Sequence, residues 1–204
     1  GSGHSTSKWY HRYVLIMAFI VVALSLMDRY VVSILIEQIK ADLKLTDLQI
    51  GLLVGPAFVL VHVLTQLPLA RLADVANRKN MIAISLLLWS AFTLAAGFVK
   101  SFPMLLLTRM GVGLTEAGCA PPLASLLSSY FPPEKRAKAM SIFSLGGVTG
   151  IGAGMLLGGI VGQEYGWRMA LIVAGAPGLL VAALFMVTVR EPHRTPAAET
   201  VEKS

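Results

Sequence analysis

Three ionisable residues stand where the surrounding sequence has almost none. Asp28 and Arg29 fall inside one long apolar run, and Glu116 falls inside another. An ionised side chain at the centre of a membrane-inserted helix costs about 2.5–3.5 kcal/mol on insertion scales, so such residues turn toward a protein interior and find partners. Arg29 and Glu116 carry opposite charges at similar depth in their runs, and the spacing predicts that they pair. Two roles fit such a pair: a structural lock between two helices, or a proton-sensitive or substrate-binding group in a water-filled cavity. The second role has a physical basis. Burial disfavours a carboxylate and a neighbouring Arg favours it, so movement of the Arg decides whether the acid holds a proton. Arg109, seven residues before Glu116, either meets an anionic headgroup or a facing helix, or extends its charge to the outer interface. His62, within Val61-His62-Val63, is expected to be a hydrogen-bonded packing residue.

The elements that must position these groups are apolar segments long enough to cross a bilayer. The chain has 204 residues, 55% hydrophobic and 14% charged, with a mean hydropathy of +0.71; a soluble domain carries about 25% charged residues. Crossing the hydrocarbon core takes roughly 20 apolar residues. Six segments qualify: about 13–36, 48–70, 80–99, 102–129, 137–163 and 169–189. Backbone groups in lipid must be satisfied internally, which makes these segments helices; a β-barrel would need short alternating segments. The expected fold is therefore an all-α membrane protein of six transmembrane helices.

Charge placement orients it. Lys8, Arg12, Arg71, Arg78, Lys79, Lys135, Arg136, Lys138, Arg190, Arg194 and Lys203 lie at one set of segment ends, and only Lys40, Lys44, Lys100 and Arg168 at the other. Positive residues concentrate on the cytoplasmic side, so both termini are expected in the cytoplasm. Residues 1–11 are expected to be a tag remnant and N-terminus, 12–190 the transmembrane domain, and 191–204 the start of a linker. A net charge of +6 raises nucleic acid as a partner. The basic residues sit at segment ends with no stripe interleaved by aromatics, which excludes it. The single cysteine, Cys119, permits no intrachain disulfide and no zinc site; no metal or cofactor is expected. Serines at 125, 128, 129, 141 and 144 lack a nucleophile motif with a His partner, and no charge ring or filter loop is present, so neither an intramembrane enzyme nor a channel is expected.

Gly146, Gly150, Gly154 and Gly158 recur every four residues, on one face of a helix, with Gly147, Gly152 and Gly159 nearby. Small residues at that spacing let two backbones approach closely, for fixed packing, for sliding, or for both. Pro56, Pro121-Pro122 and Pro177 should bend or open their helices.

Several runs resemble the major facilitator superfamily. Ala70-Arg71-Leu72-Ala73-Asp74-Val75-Ala76-Asn77-Arg78-Lys79 resembles its loop pattern G-x-L-a-D-r-x-g-R-(R/K), with Ala70 and Asn77 replacing the two glycines. The resemblance implies a conformational latch there, with Asp74, Arg78 and Lys79 as its charged members. Gly166-Trp167-Arg168 is similar to a further family feature, and Gly150 to Gly159 resembles the antiporter pattern G-x-x-x-G-P-x-x-G-G except that Met155 stands at the proline. Within the superfamily, Met27-Asp28-Arg29-Tyr30 resembles the Spinster pattern M-D-R-(F/Y), and Arg109, Gly113, Glu116 and Ala117 resemble R-x-x-x-G-x-x-E-A. The likeness runs from about Leu26 to Arg190.

The resemblance implies an N-terminal six-helix half built from two inverted three-helix repeats, about 12–100 and 101–190, partnered by a C-terminal half. It implies secondary active transport of an amphiphilic lipid of the lysophospholipid or sphingosine-1-phosphate class by alternating access, coupled to protons. Arg29 and Arg109 would then hold a phosphate, and Asp28 and Glu116 would complete the substrate or proton site. A facilitator of a drug-like or sugar-like molecule remains the competing expectation. Membrane lipids, protons and the small-molecule substrate are the expected partners.

Overall fold

The computed structural model describes residues 8–192. Seven helical elements follow one another: α1 Lys8–Leu43, α2 Asp47–Val54, α3 Pro56–Val75, α4 Arg78–Ala96, α5 Phe102–Glu116, α6 Ala120–Tyr130 and α7 Pro133–Thr188. Four helical stretches are long and apolar enough to cross a membrane: Lys8–Leu43, Asp47–Ala73, Arg78–Ala96 and Pro133–Thr188.

The differences from the expected segments have local causes. The second segment is divided at Gly55, whose backbone (φ −103°, ψ −98°) leaves the helix, and Pro56 restarts it. Proline suits that position because the first helical N–H has no partner anyway. The fourth segment is divided at residues 117–119, after which Pro121 and Pro122 lie in the opening turn of α6. Pro177, by contrast, lies within α7 without ending it. The fifth and sixth segments form one helical run of 56 residues, interrupted at Gly166 (φ 84°, ψ 164°). Only glycine adopts that backbone at low cost. Of the 1–11 terminus, Lys8 to His11 are the first turn of α1, and residues 1–7 lie outside the described residues.

Glycines set which helices touch. A Cβ on Gly146 would meet the Phe19 carbonyl oxygen at 2.5 Å, on Gly150 that of Ala23 at 2.1 Å, and on Gly154 that of Met27 at 2.7 Å. Both residue numbers rise together, so α1 and the first part of α7 run parallel, backbone against backbone. On α4, Gly178 meets Ser90 while Gly97 meets Ile172. There the numbers run oppositely, and α4 lies antiparallel to the part of α7 beyond Gly166. The same reading sets α4 antiparallel to α5 and α6, through Phe92 with Gly111 and Ser85 with Gly118, and α3 parallel to them, through Phe58 with Gly113 and Leu69 with Gly118.

Two apolar clusters fill the interior. One gathers Val14, Val21, Ile82, Leu86, Leu126 and Phe185; the other gathers Val31, Leu35, Ile39, Leu105, Trp167 and Leu171. The first lies around the start of α1 and the second around its end. The outer surface stays apolar, with Leu48, Leu64, Val148, Leu156, Leu180 and Val187 all more than half exposed. Such a surface suits lipid or further helices.

Candidate functional site: paired charges between two apolar layers

At the seam between those clusters lie three of the six buried polar or charged side chains among the described residues, Asp28, Arg109 and Glu116, together with Arg29, the partner of Glu116. Asp28 and Arg29 are neighbours on α1, so their side chains leave the helix about 100° apart. Each therefore reaches a different residue of α5. Arg29 engages Glu116, with Nη2 2.9 Å and Nε 3.0 Å from Oε1, and Nε 3.3 Å from Oε2. Ser25 Oγ donates to the same Oε1. Arg109 Nη1 lies 3.2 Å from Asp28 Oδ2. Arg109 and Glu116 are seven residues apart, two helical turns, and so share a face of α5.

Both pairs share one aromatic ring. Phe58 lies with its centroid 4.9 Å from the Arg29 guanidinium carbon and 5.6 Å from that of Arg109. Cation–π contacts contribute about 2 kcal/mol or more when desolvated and about 0.5–1 kcal/mol when exposed; Arg109 is buried and Arg29 partly exposed. His62, one turn further along α3, stacks on the Phe58 ring with centroids 5.4 Å apart. The ring packs as expected, but Nδ1 lacks the expected hydrogen bond among the described residues. Two buried atoms here, Asp28 Oδ1 and His62 Nδ1, have no hydrogen-bond partner among the described residues. The Gly113 Cα comes close to the Phe58 backbone: a Cβ there would lie 2.9 Å from the Phe58 carbonyl oxygen.

The two ion pairs are not equivalent. Asp28 and Arg109 are both almost fully buried, whereas the Arg29 side chain is 35% exposed against 3% for Glu116. Arg29 thus reaches from the open side of the chain to a buried acid. Beside it lies a cavity of about 60 Å³ lined by Ser25, Arg29, His62, Trp89, Glu116 and Cys119, large enough for a few water molecules. Glu116 is also the last residue of α5, so movement of the 117–119 break would move its carboxylate directly.

Arg29 and Glu116 therefore pair as the sequence suggested. Of the contacts expected of Arg109, the structure shows the one to a facing helix: it is buried against Asp28 of α1 and does not extend to the interface. Phe58 escaped the sequence reading because nothing marks one aromatic among many apolar residues.

At the end of the bundle where α1 begins, Arg78 is buried. Its Nε lies 2.7 Å from Glu191 Oε1, and Nη1 donates to Ser129 Oγ at 2.8 Å and to Ser125 Oγ at 3.0 Å. The backbone N–H of Lys79 donates to Glu191 Oε2 at 2.9 Å. Glu191, expected as the first linker residue, is thus fastened to the start of α4. Tyr130 Oη donates to the Arg190 carbonyl at 2.5 Å and reinforces that join. Asp74 lies in α3, but its side chain is outside the described residues, as are Arg194 and Lys203. At the opposite end, Asp42 accepts from Trp167 Nε1 at 3.2 Å and from Arg168 Nη1, while Arg168 Nη2 donates to the Val99 carbonyl at 3.0 Å. The turn at Gly166 is thereby clamped to the ends of α1 and α4.

Residues 18–204 match the family model of the Major Facilitator Superfamily. The chain belongs to that superfamily. It is similar to an MFS-type efflux pump of Mycolicibacterium smegmatis, 34% identical over 87% of this chain and 42% of that protein. It is also similar to the probable galactarate/D-glucarate transporter GudP of Bacillus subtilis, 31% identical over 98% of this chain and 45% of that one. The sphingosine-1-phosphate transporter SPNS2 of Danio rerio is 31% identical over 84% of this chain and 34% of its own length. Among solved structures, a bacterial homolog to the human lysosomal transporter Spinster, inward-facing and unoccupied, superposes with a TM-score of 0.88 at 36% identity, over 93% of this chain and 45% of that one. This major facilitator chain spans about half the length, or less, of the curated relatives it matches.

Proposed function

We propose that the chain is the N-terminal half of a secondary transporter that moves an amphiphilic anion, of the lysophospholipid or sphingosine-1-phosphate class, by alternating access coupled to protons. The observation that carries this reading is the half-exposed Arg29 bound to the buried Glu116 beside a small cavity. A cation reachable from the open side binds an anionic headgroup. When it does so, it weakens its hold on Glu116, and the freed carboxylate accepts a proton. Arg109, held by Asp28, keeps a second positive charge near the same ring of Phe58.

Six crossings in two three-helix repeats fit this role, with α2 and α3 together, α5 and α6 together, and α7 on either side of Gly166 each counted as crossings. The alternating helix directions support the count, as does length: a straight 56-residue helix would run about 84 Å against a hydrocarbon core of about 30 Å. In each proposed repeat the first helix carries two ionisable residues, which supports equivalent positions for α1 and α5 along a midplane site. Both ends of the chain lie in the cytoplasm in this reading, with Asp74, Arg78 and Lys79 as the latch toward the other half.

The likeness to a galactarate/D-glucarate transporter favours a second reading, a small sugar diacid without a tail. One experiment separates the two. The full-length transporter in proteoliposomes is given an imposed pH gradient with labelled sphingosine-1-phosphate, lysophospholipid or galactarate. Gradient-driven movement of a lipid, lost in Glu116→Gln, supports the first reading. Galactarate movement with no lipid movement supports the second. Lipid movement indifferent to both gradient and substitution reduces the Arg29–Glu116 pair to a lock between helices.

A further inference from the structure

A second concavity plays no part in the transport reading. It lies at the end of the bundle where α1 and α7 begin, and has a volume of about 410 Å³. Lys8 and Arg12 from α1 and Lys135 and Lys138 from α7 surround it. All four are exposed, and none is in an ion pair among the described residues. Among the described residues no acidic side chain lines the cavity; Glu134, in the first turn of α7, lies exposed outside the lining. The walls are apolar. Leu15 stands three residues past Arg12 and Ile142 four past Lys138, each one turn deeper into the bundle.

The arrangement is thus cationic at the rim and apolar below it. The neighbouring Trp9 is 78% exposed and Ile16, further along the same helix, 56%, the order of an aromatic belt above a hydrocarbon-facing surface. The α7 N-terminus adds positive potential, since no side chain caps it. A soluble anion would use the cations alone and leave the apolar walls bare to water. An anionic phospholipid uses both layers at once.

We infer that this cavity binds the headgroup of an anionic phospholipid, its phosphate among Lys8, Arg12, Lys135 and Lys138 and its acyl chain along Leu15 and Ile142. The site joins the start of α1 to the start of α7, whose facing stretches beyond it meet through glycines. A lipid seated there therefore bridges them at one end of their contact. The inference depends neither on the transported substrate nor on the direction of transport.

Native mass spectrometry of the full-length transporter tests it, with phosphatidylglycerol, phosphatidylcholine and inorganic phosphate as probes. Lys135→Gln/Lys138→Gln removes two rim charges, and Arg12→Gln tests the α1 side independently. Lys44→Gln/Lys100→Gln, exposed residues outside this cavity, removes the same charge elsewhere. Each cation near a phosphate is expected to contribute about fivefold in affinity, so the rim pair should weaken phosphatidylglycerol about 25-fold. Arg12→Gln should weaken it about fivefold, with the Lys44/Lys100 variant unchanged. Equal retention of phosphatidylcholine, or equal loss in the Lys44/Lys100 variant, overturns the inference. Inorganic phosphate that displaces phosphatidylglycerol at comparable concentration overturns it too, and makes the cavity a soluble-anion site.

Discussion

Removing Asp28 should harm the fold far more than removing Arg29, although each substitution breaks one ion pair. Asp28→Asn leaves Arg109 facing a neutral amide at 4% exposure. A guanidinium has no neutral form to retreat to, and a buried ion pair broken at one partner costs about 3–5 kcal/mol. Arg29→Gln leaves Glu116 instead, and a carboxyl can be neutralised by a proton. Ser25 still donates to it, and the side chain removed was already 35% exposed. The expected cost is about 2 kcal/mol, that of a charge-assisted contact and the Phe58 cation–π contact at a partly wet site. Asp28→Asn/Arg109→Gln removes both buried charges and should recover most of the loss, because uncompensated charge rather than missing attraction sets the penalty. Thermal unfolding of the full-length transporter and these three variants, followed by tryptophan fluorescence, orders them. The Asp28 variant should melt lowest, with the double variant and Arg29→Gln well above it. A double variant as unstable as Asp28→Asn, or equal losses from the two single variants, would refute this reasoning.

Two further outcomes follow from the packing. Gly150→Ala places a methyl 2.1 Å from the Ala23 carbonyl oxygen, where no side chain can turn aside, whereas Gly152 has nothing within 4 Å. The first should cost about 3 kcal/mol or more through forced separation of α1 and α7. Alanine at 152 should be neutral or stabilise by up to about 1 kcal/mol, and thermal melts of the two variants side by side check this. Asp42→Ala removes the acceptor of the buried Trp167 Nε1 and of Arg168. A loss of about 2 kcal/mol is expected, chiefly from the unsatisfied indole N–H, and chemical denaturation checks it. An unchanged midpoint would mean that the clamp at Gly166 contributes nothing to stability.

Hydropathy alone determined that this is a helical membrane protein, because the shortage of charge is concentrated into long runs and lipid leaves the backbone few alternatives. It also singled out Asp28, Arg29 and Glu116, since ionisable groups inside such runs must have partners. The four-residue glycine repeat marked a close helix contact, and its partner proved to be α1. Other features depended on how each helix is rotated about its axis and which neighbour it meets. That rotation turned Arg109 inward to Asp28, set Phe58 between two guanidinium groups, and brought Glu191 back to Arg78 across the bundle. Sequence periodicity is local and records one helix face at a time. A contact between residues 113 positions apart, such as Arg78 with Glu191, leaves no local trace. Local pattern did mark the breaks at Gly55 and residues 117–119, because Pro56 and Pro121-Pro122 stand just after them, but the same signal at Pro177 ends no helix, and only packing distinguishes the cases. The charges inside the apolar runs were legible because the membrane makes them costly, and opposite charge at similar depth matched Arg29 to Glu116; that Arg109 meets Asp28 was decided by packing, which alone sets how each helix is turned.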